Sequence, residues 1–435
     1  MAFDFSPSSL SLKMFNKVVF PNGLRVLTAP MSGTNTVTIL ISVGTGSNHE
    51  SKQNNGISHF LEHMFFKGTS RRPSKVEIAT ELDGLGAVYN AFTSSEYTGY
   101  FTKVGHQYFD RAFDVVTDIF LNSTLPSEEI ERERGVIIEE MHMRHDDPQS
   151  RVGFLWEKLL YGDQPAGWET LGEEPVIRAL KRDDFADYFH SQYVAENTAV
   201  IVAGNIKDEQ ALVEKIKRTF EGLRDGTPRK SPEVSESQVR PELIHEDKKT
   251  DQTNLIIGFR GFGKNDPRIW PASLLATVLG GGMSSRMFME IREELGLAYN
   301  ISTGFDDYSK YGYLATAAGV PNDKLDKAIP AIIGEYKRIR DEAVPMSELT
   351  KARDFVKGTS LMGLESSSSL AMFIGGEEIL TGKPMTIDEV FAKLDAVTPD
   401  SIQSVARDII KEEGLNLALV GPKHDLVKLE KLLKL

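Results

Sequence analysis

His59 and His63 stand four residues apart in the stretch Asn55 to Gly68, and Glu62 directly precedes the second histidine. On an α-helix, positions four apart are stacked neighbours on one face, close enough for two imidazoles to share one zinc ion. Glu62 then sits beside that ion without being needed as a ligand, where a carboxylate can take a proton from water. At about 100° per residue, Ile57, Phe60, Leu61, Met64 and Phe65 form one apolar stripe, while His59, Glu62, His63 and Phe66 project from the opposite side. One face packs and the other is free for chemistry. Catalytic zinc takes three protein ligands and keeps one position for water, so a third ligand has to come from elsewhere. The chain has no cysteine, which leaves His, Asp and Glu as donors and excludes disulfides, iron–sulfur clusters and cysteine nucleophiles. The candidates lie on a charged helix predicted from Ser127 to Arg144, with Glu131, Glu133, Glu139 and Glu140, and His142 and His145 at its end. Composition does not choose among them.

The elements that must carry these residues occur twice. An apolar strand-like run, Val37 to Val43, leads through a Gly-rich turn to the apolar helix near Phe60. In the second half, Leu255 to Phe259 leads through Gly261 to Leu274–Leu279. Leu82 to Asn90 echoes Glu294 to Asn300, with Tyr89 and Tyr299 offset by 210 positions. Leu125-Pro126-Ser127-Glu128 and Val344-Pro345-Met346-Ser347-Glu348 each open a helix, with Ser127 and Ser347 as candidate N-caps. Asn197 to Gly204 and Asn416 to Gly421 read as matching closing strands. Landmarks recurring in one order point to an internal duplication. Between the copies, Glu221 to Lys249 is rich in Gly, Pro, Ser and charge, as a linker is. The expected organisation is a first domain over 1–220, a linker over 221–249 and a related domain over 250–435. Short strands mixed with long helices, without strict βαβ alternation, predict α+β units with largely antiparallel sheets.

The spacing now becomes informative as a whole. The chain resembles the pitrilysin, insulysin and mitochondrial processing peptidase family of zinc metallopeptidases, which share the inverted H-x-x-E-H arrangement followed by two glutamates. Glu133 falls 70 residues after His63 and Glu140 falls 7 after Glu133, on both family positions. The resemblance implies Glu140 as the third ligand of one zinc per chain, Glu133 as a supporting carboxylate and Glu62 as the proton acceptor. Seven residues is close to two helical turns, which puts both glutamates on one face. Asn90-Ala91-Phe92-Thr93 resembles the family strand that pairs with substrate backbone; read alone, Ala87 to Thr93 is an ordinary half-buried strand. Arg292 and Tyr299 match a family pair that reaches the peptide from the second domain; read alone they are a solvated Arg and a core Tyr. Gly280-Gly281-Gly282 lacks a Walker lysine and reads as a helix-ending turn rather than a phosphate loop.

What the resemblance implies is a zinc-dependent endopeptidase or oligopeptidase acting on unfolded peptides, each chain forming half of a clamshell chamber and two chains forming a homodimer. The rival expectation is a non-catalytic, peptide-binding scaffold subunit of a larger processing complex, although such relatives typically lose the zinc residues. Composition fits a folded globular chain, with 40% hydrophobic and 26% charged residues. Lys+Arg number 50 against 63 Asp+Glu, a net charge of −13, the wrong sign for binding nucleic acid or anionic membrane through phosphates. It suits basic peptides better. No apolar stretch approaches the ~20 residues of a membrane helix. Met1 to Lys17 lacks both a basic, apolar leader and any arginine, so the expected location is cytoplasmic.

Overall fold

The architecture comes from a computed structural model that describes residues 14–435. The reading of the N-terminus as free of a leader falls mostly on 1–13, outside the described residues. Strands β1 (Asn16–Val19), β2 (Arg25–Pro30), β3 (Thr36–Val43), β4 (Val88–Thr93), β5 (Thr98–Gly105) and β6 (Thr198–Gly204) form one sheet in the order β1-β2-β6-β3-β5-β4. A second sheet contains β7 (Glu242–Asp247), β8 (Gln252–Gly261), β9 (Asn300–Asp307), β10 (Gly312–Pro321) and β11 (Asn416–Gly421), ordered β7-β11-β8-β10-β9. Each sheet is antiparallel except for one parallel pair, β2 with β6 and β7 with β11. The second sheet thus repeats the first without β1. The duplication extends to the backbone: Gly86 and Gly296, just ahead of edge strands β4 and β9, have φ of +62° and +57°. That left-handed region is costly for any residue with a Cβ.

β3 shows why its sequence reads as an unbroken apolar run rather than an alternating one. Val37, Ile39, Ile41 and Val43 pack with Phe60, Leu61 and Met64, while Leu40 on the other face packs with Leu27, Ile201, Leu370, Ala371 and Ile374. Both faces of the sheet are covered, so both sets of side chains are apolar. The second cover comes from the far half of the chain, from the helix Ser367–Thr381 lying on β3 and β6. Reciprocally, the helix Pro148–Tyr161 lies on β11, β8 and β7, with Val152, Leu155 and Trp156 packed against Ala418 and Val420. Each half therefore lends a helix to the other's sheet.

Two local expectations differ from the structure. Residues 242–247, inside the stretch that reads as a linker, form the edge strand β7, its apolar pair Leu243–Ile244 flanked by charge and only half buried. Its place follows from parallel pairing with β11. Pro126 and Pro345, not Ser127 and Ser347, occupy the N-cap positions of the helices Ser127–Asp146 and Met346–Gly363. Neither helix has a side-chain cap; the Pro126 carbonyl accepts from Ile130 N–H and the Pro345 carbonyl from Glu348 and Leu349 N–H. The helix Ile269–Gly280 does end at the glycine run, capped at Gly281. Among the described residues, no helix is long and apolar enough to cross a membrane.

Candidate metal centre

The helix Ile57–Met64 carries His59, Glu62 and His63, and it is anchored at both its face and its end. Ile57, Phe60, Leu61 and Met64 are fully buried in the first core. Its N-cap is Gly56 at φ +94°, where a Cβ would come within 2.6 Å of the Leu171 carbonyl oxygen. Glycine cannot cap with a side chain, and the buried carboxylate of Glu50 does so instead. It accepts from the backbone N–H of Gly56 at 2.7 Å and of Ser58 at 2.8 Å, and from the Asn55 side-chain amide at 3.0 Å. Burial pushes the Glu50 carboxyl up, and these hydrogen bonds oppose that shift. An anion at a helix N-terminus also complements the helix dipole.

The structure brings His59, His63 and Glu140 together, with one ligand atom from each lying within 4.8 Å of the others. Glu140 Oε2 is 3.6 Å from His59 Nε2 and 3.8 Å from His63 Nε2. Two ligands each about 2.1 Å from a tetrahedral zinc are about 3.4 Å apart, so two nitrogens and one oxygen here fit that ion. Burial pushes the His59 imidazole down to about 3, helped by the neighbouring His63 and Arg144 side chains, which keeps it neutral as a ligand must be. His63 Nδ1 is 2.9 Å from Glu133 Oε1, which leaves Nε2 facing Glu140. The other oxygen of Glu133 is 2.6 Å from Lys67 Nζ. Burial alone would raise the Glu133 carboxyl, but hydrogen bonds from His63 and Lys67 outweigh it and hold the group below the usual carboxylate range. The remaining acidic and imidazole groups of that helix point elsewhere: Glu131 pairs with Arg134, Glu139 with His142, His142 with Glu174, and His145 with Glu169.

Glu62 projects beside this cluster. Its Oε2 accepts a 2.6 Å hydrogen bond from the Thr93 hydroxyl at the end of β4. Burial pushes its carboxyl up; Thr93 and His63 pull it down, and Glu140 pushes it up again. Asn90, Ala91 and Phe92 lie on β4, opposite Phe101, Tyr100 and Gly99 of β5. β4 ends the sheet, so its other edge is unpaired. Arg292 and Tyr299 lie together in the second half, the guanidinium 5.5 Å from the centre of the Tyr299 ring and 4.6 Å from that of Phe288. Tyr299 is 79% exposed, so it is not the core residue its type suggests. Among the described residues, neither hydrogen-bonds or ion-pairs with His59, Glu62, His63 or Glu140. Sequence reasoning missed three supporting groups: Glu50, Lys67 and the Thr93 hydroxyl. Only Lys67, a cation one helical turn beyond His63, left a signal in the spacing.

Comparison with known proteins finds relatives along nearly the whole chain. Residues 25–173 match the family described as Insulinase (Peptidase family M16), and residues 179–356 match the Peptidase M16 inactive domain. An uncharacterized zinc protease of Bacillus subtilis, YmxG, is 34% identical over 414 residues, covering 95% of this chain and all of that protein. An uncharacterized zinc protease of Streptomyces coelicolor is 32% identical, covering 94% of this chain and 90% of that protein. Among solved structures, a protease from Helicobacter pylori shares the fold with a TM-score of 0.87 at 23% identity, covering 94% of this chain and 99% of that one. On these matches, the chain belongs to peptidase family M16, the insulinase family.

Proposed function

We propose that the protein is a zinc-dependent peptide hydrolase that holds one zinc on His59, His63 and Glu140. The convergence of those three ligand atoms, with Glu62 beside them, is the observation that carries this reading. When bound, zinc activates water and polarises the scissile carbonyl. Glu62 accepts the proton of the attacking water and returns it to the leaving amine. A carboxyl raised by burial yet held by the Thr93 hydroxyl suits a group that must both take and give a proton. Glu133 holds His63 through Nδ1 and thereby sets which nitrogen is free for the metal.

The open edge of β4 favours an extended peptide, whose backbone can add as a further strand past Asn90, Ala91 and Phe92. That mode binds backbone rather than sequence and suits unfolded peptides. Arg292 and Tyr299 donate to substrate carbonyls or to the oxyanion. Neither contacts the metal ligands; because one chain carries both the zinc motif and this pair, we favour a homodimer acting in the cytoplasm. The match to an inactive domain covers residues 179–356, which do not include the H-x-x-E-H motif or Glu140. Retention of all four motif residues favours hydrolysis over a scaffold role. The test is mass spectrometry of a peptide library incubated with zinc-loaded and chelator-stripped protein. Cleavage that disappears on stripping and returns with zinc is expected; cleavage persisting without metal, or none with it, refutes the reading.

A further inference from the structure

Lys67 lies outside the ligand set, yet the structure ties it to that set through one carboxylate. It ends the short 3₁₀ turn Phe65–Lys67 that continues the motif helix, and its side chain is only 16% exposed. The backbone just beyond it is fixed. Gly68 has φ +147°, and a Cβ there would lie 2.7 Å from the Pro73 carbonyl oxygen. Its own carbonyl accepts from Thr124 N–H at 3.1 Å. From this anchored position Lys67 Nζ reaches Glu133 Oε2 at 2.6 Å, and among the described residues no other carboxylate lies within ion-pair distance of it. Glu133 is divided between two partners, Lys67 on one oxygen and His63 Nδ1 on the other at 2.9 Å.

We infer that Lys67 is a positioning residue for the metal site, locking Glu133 so that the His63 ring is held with Nε2 toward the metal. The inference rests on the zinc reading above. A carboxylate on a side chain 8% exposed, left with a single hydrogen bond, is poorly satisfied and turns toward water. That movement weakens its grip on His63. Lys67 and Glu133 therefore act in series, and removing the first forfeits most of what the second provides. Losing a carboxylate that orients a ligating histidine lowers metal affinity by roughly 10- to 100-fold.

The experiment measures zinc affinity of the full chain by chelator competition, for wild type, Lys67→Met, Lys67→Arg, Glu133→Gln and the Lys67→Met/Glu133→Gln double variant. Melting of each metal-free protein is measured alongside. Lys67→Met is expected to bind zinc on the order of 10-fold more weakly, with metal-free melting close to wild type. Lys67→Arg, which keeps the cation, should recover most of the loss. In the Glu133→Gln background, Lys67→Met should add little. Wild-type affinity in Lys67→Met, effects that multiply in the double variant, or equal losses in Lys67→Arg and Lys67→Met overturn the inference while leaving the zinc reading intact. Should Lys67→Met fail to fold, the comparison of Lys67→Arg with wild type decides: near-native zinc affinity supports the role, and a loss as large as that of Glu133→Gln overturns it. A wild-type chain that binds no zinc overturns both.

Discussion

Glu62 differs from the ligands around it in what its replacement should do. His59, His63 and Glu140 surround a common point, and loss of any one removes a donor. Glu62 instead bonds to Thr93, outside the ligand triangle. Glu62→Gln keeps size and shape and leaves all three donors in place, but an amide cannot accept a proton. It should therefore retain zinc at near wild-type affinity while peptide hydrolysis falls by at least about 100-fold, the usual scale of a general base. Zinc titration and turnover measured on one preparation check this. Turnover near the wild-type rate would remove Glu62 from the reaction. At this scale the sequence was highly legible. Two imidazoles and a carboxylate at helical spacing declare their shared face, because helix geometry is invariant. Thr93 was not legible as a partner of Glu62, since 31 residues and a strand pairing separate them and no periodicity spans that gap.

The motif helix is an element with little intrinsic means of starting. It has 8 residues, a glycine N-cap and no acidic residue in its first turn. Helices this short are marginal alone, so packing and Glu50 must hold this one. Glu50→Ala leaves the buried N–H groups of Gly56 and Ser58 without acceptors, which should cost at least about 2 kcal/mol. Because those groups start the turn that presents His59, zinc affinity should fall along with stability. Denaturant unfolding and zinc titration measure the two effects; unchanged stability would show that the carboxylate is dispensable. Glu50 was invisible in the sequence because it acts from 6 residues ahead of Gly56, beyond the reach of ordinary capping patterns. β7 was hidden for a related reason. Its strand character comes from pairing with β11, some 170 residues later in the chain, and its own composition reads as loop. The helix Ser127–Asp146 was plain, since 20 residues of charge and spaced apolar side chains need no tertiary partner to be recognised.

At the scale of the whole molecule, the two halves are joined by exchanged helices, and one of those contacts titrates. Glu157, on the helix that the first half lends to the second sheet, accepts a 3.1 Å hydrogen bond from the Tyr308 hydroxyl. Burial against the second sheet pushes its carboxyl up to about 7, and Asp306 and Glu169 push in the same direction against the pull of Tyr308. The folded state thus holds a proton on Glu157 that an unfolded chain releases near the ordinary glutamate value. The resulting stabilisation is fully present below about pH 4.5 and is lost as pH rises to about 7, because over that range the unfolded chain ionises while the folded protein still holds the proton. Glu157→Gln keeps the neutral shape and the acceptor for Tyr308 at every pH. Its melting temperature relative to wild type should therefore climb between about pH 5 and pH 8 and level off above that. Melting of both proteins across this range, metal-free so that zinc binding does not intrude, reads the difference directly. A difference that stays constant with pH would mean that Glu157 is already ionised in the fold and that the joint between the halves carries no proton.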